Sequence, residues 1–188
     1  MTLREPVHLE DPRTIGPVHF IAIGGAGMSG VARAYAELGA EVSGSDQVNS
    51  TRLESLSAMG VRTWVGHDPS HVHGARTVVV SSAIHDDNPE LVEARRLGLR
   101  IWHRSAALAA LMLGRQGVSV AGTHGKTTTS AIIASILTDA GMDPSYVIGS
   151  PLATSGRSAH LGRGDAFVVE ADESDGSFLQ YPLSLIHI

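Results

Sequence analysis

The sequence predicts an α/β protein with a doubly wound parallel sheet, followed by the beginning of a second α/β unit. Short apolar segments alternate with segments of helical spacing, and short connections join them. A turn with the pattern G-x-G-x-x-G follows the first apolar segment, and a turn that ends in Gly-Lys-Thr follows a later one. This alternation is typical of parallel sheets that have helices packed on their faces.

The first unit contains five predicted strands, several of which are continuous apolar runs, as expected for strands buried on both faces. They are the segments 18–23, 41–46, 61–66, 76–84 and 99–102. Helical segments lie between them, and each ends at a glycine, the residue that most readily terminates a helix. These glycines are Gly39, Gly60, Gly98 and Gly114. Ser50 and the pair Asn88-Pro89 are predicted to begin two of the helices.

The second unit begins near residue 116 with a predicted strand at 117–122. A helix is predicted from about 126 to 140, and a further buried strand at 166–171. The apolar face of that helix is predicted from spacing to contain Ile133, Ile136, Leu137 and Ala140. We therefore predict two domains, at residues 1–115 and 116–188.

Composition narrows the class of protein. The chain has 188 residues, a net charge of −5 and no cysteine, which excludes a disulfide scaffold and fits a cytoplasmic protein. The amino-terminal residues lack a signal-peptide core, and the longest apolar block, at 106–113, is too short to span a bilayer. An acidic chain has no general attraction for nucleic acid or membranes, so an anionic ligand must be bound by local loops.

The first glycine-rich turn, Gly25 to Gly30, lies between a predicted strand and a predicted helix. Glycines allow the backbone amides at a helix start to approach phosphate oxygens closely. Asp46 follows the second strand, where it could accept hydrogen bonds from ribose hydroxyls. Taken alone, this half of the chain also fits an NAD(P)-dependent oxidoreductase, or a turn that binds no ligand.

The second turn, Gly122-Thr123-His124-Gly125-Lys126-Thr127, ends as a Walker A loop does, although Val120 stands where the first glycine of the general pattern is expected. Lys126 could bind the β- and γ-phosphates of ATP, and the Thr127 hydroxyl could reach Mg²⁺. Thr128 could add a hydroxyl contact. This pattern predicts a P-loop ATPase unit after a Rossmann-like first unit.

Carboxylates follow the strand at 166–171. Glu170 ends it, and Asp172, Glu173 and Asp175 come directly behind. Such groups beside a phosphate loop commonly anchor Mg²⁺, although a solvated acidic turn is the alternative. A histidine cluster at His67, His71 and His73 has no spacing typical of zinc sites, so we predict that these side chains are exposed or contact a ligand.

Together the two turns resemble those of the Mur ligases. The matching segments are IGGAGMSGVA, SGSD, VVVSSAI, AGTHGKTTT and EADESDGSF, in the family's order and spacing over about residues 16–182. Within the family, GGAGMSG together with EADESDGSF favours the branch that adds L-alanine over a related branch that recycles a tripeptide.

The resemblance implies ligands for both units. The first unit would bind the UDP of UDP-N-acetylmuramate rather than NAD, and the second would bind MgATP. The implied UDP-sugar residues are Gly25, Ala26, Gly27, Met28, Ser29, Ser45, Asp46, Ser81, Ser82 and Ala83. The implied ATP-binding residues are Gly122, Thr123, His124, Gly125, Lys126, Thr127 and Thr128, with Lys126 and Glu170 as catalytic residues and Thr127 and Glu170 as magnesium ligands.

The resemblance also implies an activity: ATP-dependent ligation of L-alanine to the muramoyl carboxylate in peptidoglycan precursor synthesis. The family continues beyond Pro182 into further motifs, and LSLIHI at 183–188 does not match that continuation. We therefore expect residues 183–188 to be foreign to the gene and the 188-residue chain to be inactive alone. A non-catalytic nucleotide-binding module remains an alternative to the ligase.

Overall fold

The computed structural model describes residues 7–171, 181 and 183–187, and in this part of the chain it contains two five-stranded sheets. The first sheet is entirely parallel, with the strand order β3-β2-β1-β4-β5. Its strands are β1 (Val18–Ile21), β2 (Val42–Asp46), β3 (Arg62–Val65), β4 (Thr77–Val80) and β5 (Arg100–His103). The predicted doubly wound parallel sheet is confirmed.

Four helices alternate with these strands. They are α1 (Ala26–Glu37), α2 (Thr51–Ala58), α3 (Pro89–Arg96) and α4 (Arg104–Leu111). Both predicted helix starts are confirmed, since the Ser50 hydroxyl accepts a hydrogen bond from the Leu53 amide at 3.2 Å and Asn88 accepts one from the Glu90 amide at 3.0 Å. A short 3-10 helix, Pro69–Val72, lies in the histidine-containing segment, where no helix had been predicted.

The second sheet has the order β10-β6-β9-β7-β8. Its elements are β6 (Gln116–Val120), α5 (Lys126–Asp139), β7 (Ser145–Val147), β8 (Ala159–His160), β9 (Ala166–Glu170) and β10 (Leu183–His187). The predicted strands correspond to β6 and β9, whereas the short strands β7 and β8 had not been predicted. The predicted boundary between residues 115 and 116 falls between α4 and β6.

Residues 183–187 form β10, which pairs in parallel with β6. This strand covers the edge of β6 that does not face β9, so β6 has a partner on each side. At this side of the sheet, β10 is therefore the edge strand. The foreign origin of residues 183–188 stays a prediction.

The apolar face predicted for α5 is partly wrong. Ile136 is 61% exposed, and Ala140 is exposed as well. The helix instead turns Ser130 and Ala134 inward, and Ile133 and Leu137 pack at the margin of that face against the second sheet. Small residues face the sheet because they let the helix backbone approach it closely.

Helix α1 packs against both sheets. Gly30 faces Val147 of β7 and Ala159 of β8, and a Cβ on residue 30 would lie only 3.2 Å from Val147 Cγ1. One apolar cluster therefore contains residues of both sheets, including Phe20, Tyr35, Val147 and Phe167. None of the helices in the described part of the chain is long and apolar enough to cross a membrane.

Candidate functional site

The first glycine-rich turn leads directly into α1, and Gly25 is the residue before the helix. The first hydrogen bond of the helix runs from the Ser29 amide to the Gly25 carbonyl oxygen at 2.8 Å. Amides of a first helical turn have no carbonyl partner within the helix, so the amides of Ala26, Gly27 and Met28 are suited to bind an anion. Gly25 and Ala26 are exposed, as such binding requires.

Asp46 supports this turn from the end of β2. Its Oδ2 atom accepts a hydrogen bond from the Gly24 amide at 2.8 Å. A Cβ on residue 24 would lie 2.9 Å from the same oxygen, so glycine is needed for this close approach. One carboxylate oxygen of Asp46 is therefore used to position the turn, and the predicted contact of Asp46 with a ribose stays a prediction.

The side chains of Ser45 and Met28 are buried, and the predicted ligand contact of these two residues stays a prediction. Ser45 is fully buried, and its hydroxyl donates a hydrogen bond to Glu90 Oε2 at 2.5 Å. Met28 is 3% exposed because its side chain packs in the core shared by the two sheets. Only the backbone groups of these two residues remain candidates for ligand contact.

The residues Ser81, Ser82 and Ala83 follow β4 at the same carboxyl edge of the first sheet. Ser82 and Ala83 are exposed, and the Ser82 hydroxyl lies 3.1 Å from His103 Nε2. The edge thus brings this segment, Asp46 and the glycine-rich turn to one side of the sheet. That is where open α/β sheets bind their ligands.

The second turn has the backbone of a phosphate loop. Gly122 and Gly125 have φ values of 138° and 78°, which side-chain-bearing residues rarely adopt. Lys126 is the first residue of α5, and its Nζ atom donates a hydrogen bond to the Gly122 carbonyl oxygen at 2.6 Å. The ammonium group therefore lies over the turn. Thr123, His124 and Thr128 are exposed beside it.

The structure brings the two predicted magnesium ligands together. The Thr127 hydroxyl donates a hydrogen bond to Glu170 Oε2 at 3.0 Å, although the residues are 43 positions apart. Glu170 Oε1 accepts a second one from the Gly149 amide at 2.6 Å. A hydroxyl and a carboxylate in contact are the oxygen ligands that Mg²⁺ prefers, so these residues fit the ion.

The further acids Asp172, Glu173 and Asp175 lie outside the described residues. Among the residues that are described, no three His, Cys, Asp or Glu side chains form a group that could hold a metal ion. Gly149 is a site residue that the sequence reasoning missed. A Cβ there would lie 3.0 Å from Thr127 Oγ1 and 3.1 Å from Glu170 Oε2, so only glycine fits without displacing them.

The two turns face a common cavity of about 130 Å³. The first unit contributes Gly27 and Arg104 to its lining, and the second contributes Lys126, Gly149 and Glu170. Arg104 was also missed, because a lone arginine at the start of a helix has no motif around it. A larger cleft of about 380 Å³ lies between α1, α2 and residues 149–158, and its lining includes Arg33, Arg52 and Arg157.

Two members of the histidine cluster contact a buried carboxylate, Glu90. His71 Nδ1 lies 2.7 Å from Glu90 Oε1, and His67 Nδ1 lies 3.2 Å from Oε2. Both imidazoles are largely buried, so the prediction of solvent exposure is wrong for these two, whereas contact with a ligand stays a prediction. His73 is exposed and pairs with Glu93 at 3.1 Å.

Glu90 itself is completely buried in the first turn of α3. Its other close neighbours are the Ser45 hydroxyl and His19 Nε2, which lies 3.5 Å from Oε2. Burial raises the pKa of the carboxyl, but the contacts with His19, Ser45 and His71 outweigh it and lower the pKa to about 2. Glu90 is therefore ionised. Its contacts connect α3 to β1, β2 and the 3-10 helix.

Comparison with known proteins indicates the same family as the motifs do. A family model described as "Mur ligase family, catalytic domain" matches residues 17–116. The chain is 75% identical to the UDP-N-acetylmuramate–L-alanine ligase of Cutibacterium acnes over 186 residues, which are 99% of this chain and 40% of that protein. It is 54% identical to the ligase of the same name from Nocardioides sp. over 181 residues, 96% of this chain and 41% of that one. The chain thus spans about two-fifths of the length of these relatives.

Solved structures with this fold include two ligases. The UDP-N-acetylmuramate-alanine ligase from Thermotoga maritima superposes with a TM-score of 0.85 at 30% identity, over 90% of this chain and 40% of that chain. The UDP-N-acetylmuramate:L-alanyl-gamma-D-glutamyl-meso-diaminopimelate ligase from Neisseria meningitides superposes with a TM-score of 0.84 at 29% identity, over 91% of this chain and 59% of that chain. The two share the arrangement of α/β units found here.

Proposed function

The chain belongs to the Mur ligase family, and from this premise we propose that it is the amino-terminal part of a UDP-N-acetylmuramate–L-alanine ligase. Such an enzyme joins L-alanine to the muramoyl carboxylate at the expense of ATP, in the synthesis of peptidoglycan precursors. Support for the L-alanine-adding branch comes from the 75% identity with a relative of that name. The solved structures are equally similar in the two branches, at 30% identity with the alanine ligase and 29% with the tripeptide ligase.

The observation that carries the proposal is the convergence of two phosphate-binding turns on one cavity. Gly27 belongs to the first turn, and Lys126 and Glu170 belong to the second turn and its partner strand. A dehydrogenase needs only the first of these turns. A ligase that activates a carboxylate with ATP needs both, because the nucleotide sugar and ATP must meet.

In the proposed reaction the muramoyl carboxylate attacks the γ-phosphate of ATP and becomes an acyl phosphate, with release of ADP. The amine of L-alanine then displaces inorganic phosphate and forms the amide. This chemistry needs positioning and charge neutralisation and no nucleophilic side chain.

The second turn binds ATP in this scheme. Lys126 holds the β- and γ-phosphates, and the turn's amides bind phosphate oxygens. Thr127 and Glu170 would hold Mg²⁺, which when bound neutralises charge on the phosphates. Ala26 and Gly27 bind the diphosphate of the nucleotide sugar at the start of α1. The cleft that contains Arg33, Arg52 and Arg157 is a candidate place for the rest of that substrate.

A hybrid enzyme, referred to below as the graft, tests the proposed activity. Residues 1–181 of this chain replace the matching part of the Cutibacterium acnes ligase, which the 75% identity makes a conservative exchange. We expect ADP release that requires UDP-N-acetylmuramate, L-alanine and MgATP together, and that Lys126→Met abolishes. Absence of ADP release from a folded hybrid enzyme would contradict the proposal.

Calorimetry on the 188-residue chain tests the first unit separately. We expect binding of UDP-N-acetylmuramate and none of NADH. Binding of NADH without competition from the UDP sugar would favour an oxidoreductase and overturn the proposal. The two experiments together distinguish a ligase from a module that only binds nucleotides, because only the ligase turns over in the graft.

A further inference from the structure

We propose that Arg104 is a further substrate-binding residue, which holds the diphosphate of the nucleotide sugar against the glycine-rich turn. The inference rests on the proposed function and adds a residue that no motif contains. It depends on three observations: the contact of Arg104 with Gly27, the way that α4 begins, and the cavity between the two turns.

The guanidinium of Arg104 lies directly against the glycine-rich turn. A Cβ on Gly27 would be 2.7 Å from Arg104 Nη1 and 3.2 Å from Cζ. Any side chain at residue 27 would therefore displace the guanidinium. Gly27, the second glycine of the motif, thus serves two purposes. Its missing side chain leaves room for a phosphate at the amides of α1, and it also leaves room for the guanidinium of Arg104.

The start of α4 directs Arg104 toward this edge of the sheet. Arg104 is the first residue of α4 and follows β5 directly. His103 precedes it and accepts a hydrogen bond from the Ser105 amide at 3.3 Å, while its Nε2 atom contacts the Ser82 hydroxyl. These contacts fix the backbone from which the arginine extends. Arg104 therefore lies at the carboxyl edge of the sheet, beside the glycine-rich turn.

The charged residues that line the cavity between the turns indicate which part of the ligand Arg104 binds. Among the described residues that line it, Arg104 and Lys126 are the cations, one from each unit, and Glu170 is the anion. A guanidinium binds a phosphate through two parallel hydrogen bonds, whereas an ammonium acts as a point charge. Because Arg104 touches the turn of the first unit, it serves the diphosphate of the sugar nucleotide, and Lys126 serves ATP.

The test compares ligands that differ only in the number of phosphate groups. Calorimetry measures UDP, UMP and uridine binding to the 188-residue chain and to its variants Arg104→Gln and Arg104→Lys. Loss of a charged hydrogen-bond partner weakens binding roughly 10- to 100-fold. We expect that loss for UDP with Arg104→Gln, a smaller one with Arg104→Lys, and unchanged binding of uridine.

Arg96→Gln is the matched control, since Arg96 lies on the surface of α3 and pairs with Glu93. It removes the same charge without changing UDP binding. Thermal unfolding of each variant by circular dichroism shows that the fold is retained.

Equal weakening of UDP and uridine would mean that Arg104 only supports the fold, and would overturn the inference. Unchanged UDP binding in Arg104→Gln would overturn it too, while leaving the proposed function intact. Absence of any uridine nucleotide binding to the unaltered chain would overturn the proposed function, and this inference with it.

Discussion

Glu90 shows at the scale of single residues how a charge can be buried in this fold. The carboxylate has no exposed surface, and it is surrounded by the Ser45 hydroxyl and three imidazoles from His19, His67 and His71. A buried ion is tolerated only when its partners replace water, so each of these groups is needed. Ser45 of this network directly precedes Asp46, whose carboxylate accepts a hydrogen bond from the glycine-rich turn.

Glu90→Gln should lower the free energy of unfolding by about 2 kcal/mol, because it removes a charged acceptor from several buried partners. Its effect should also depend on pH. The pKa of Glu90 is lowered from 4.5 to about 2, so its contribution is complete above the unfolded value and is lost as the pH falls from 4.5 toward 2. The shift corresponds to about 3 kcal/mol.

Urea unfolding between pH 5 and pH 3 measures this. The unaltered chain should lose more stability over that interval than Glu90→Gln does. Parallel pH profiles of the two proteins would show that the carboxylate is not stabilised by its neighbours.

Gly149→Ala tests the contact between Thr127 and Glu170. A methyl group there would lie within about 3 Å of both side chains and would separate them. We expect MgATP binding to weaken about 10-fold and UDP-sugar binding to weaken less, because Gly149 contacts both magnesium ligands but only lines the edge of the cleft proposed for the sugar nucleotide. Calorimetry measures the affinity for each ligand. An equal loss of affinity for MgATP and for the UDP sugar would contradict the expectation.

Helix α1 has two functions at the scale of secondary structure. Its first turn belongs to the proposed nucleotide-sugar site, and its body packs between the two sheets. Gly30, the last glycine of the motif, makes the second function possible, since it brings the helix backbone against Val147 and Ala159. The glycine motif therefore encodes part of the contact between the units as well as a phosphate site.

Gly30→Val should destabilise the chain by about 1–3 kcal/mol through overpacking against Val147. The double variant Gly30→Val with Val147→Ala should recover part of that loss, because it removes the Cγ1 atom that lies closest. Chemical unfolding of the two variants and the parent measures the difference. If adding Val147→Ala recovered no stability, the destabilisation by Gly30→Val would arise within α1 and not from its contact with β7.

The molecule as a whole shares one core between its two sheets. A single apolar cluster includes Val18 and Phe20 of the first sheet, Val31 of α1, and Val147 and Phe167 of the second sheet. Elements that share a core tend to unfold together. The two phosphate-binding turns are therefore held in a fixed relation.

We expect a single unfolding transition for the chain. Both tryptophans, Trp64 and Trp102, belong to the first sheet, so their fluorescence reports on that sheet, whereas far-ultraviolet circular dichroism reports on both. The two signals should change at the same urea concentration. Separate midpoints would show that the sheets unfold independently.

The sequence by itself determined the order of the elements and both turns. Apolar runs, helix caps at Ser50 and Asn88 and terminal glycines are local signals, and the structure confirms the helices and strands that they predicted in the first unit. The short strands β7 and β8 were missed because two or three residues carry too little pattern.

Only the tertiary structure decided which side chains meet. Ser45 and Met28 have the positions of ligand-binding residues in the sequence, yet the fold turns both into the core. Glu90 and its histidines come from three elements and a loop, and Arg104 reaches Gly27 across 77 positions of the chain. The physical reason is that a local pattern specifies backbone conformation, whereas burial and partners depend on contacts between segments that are distant in sequence.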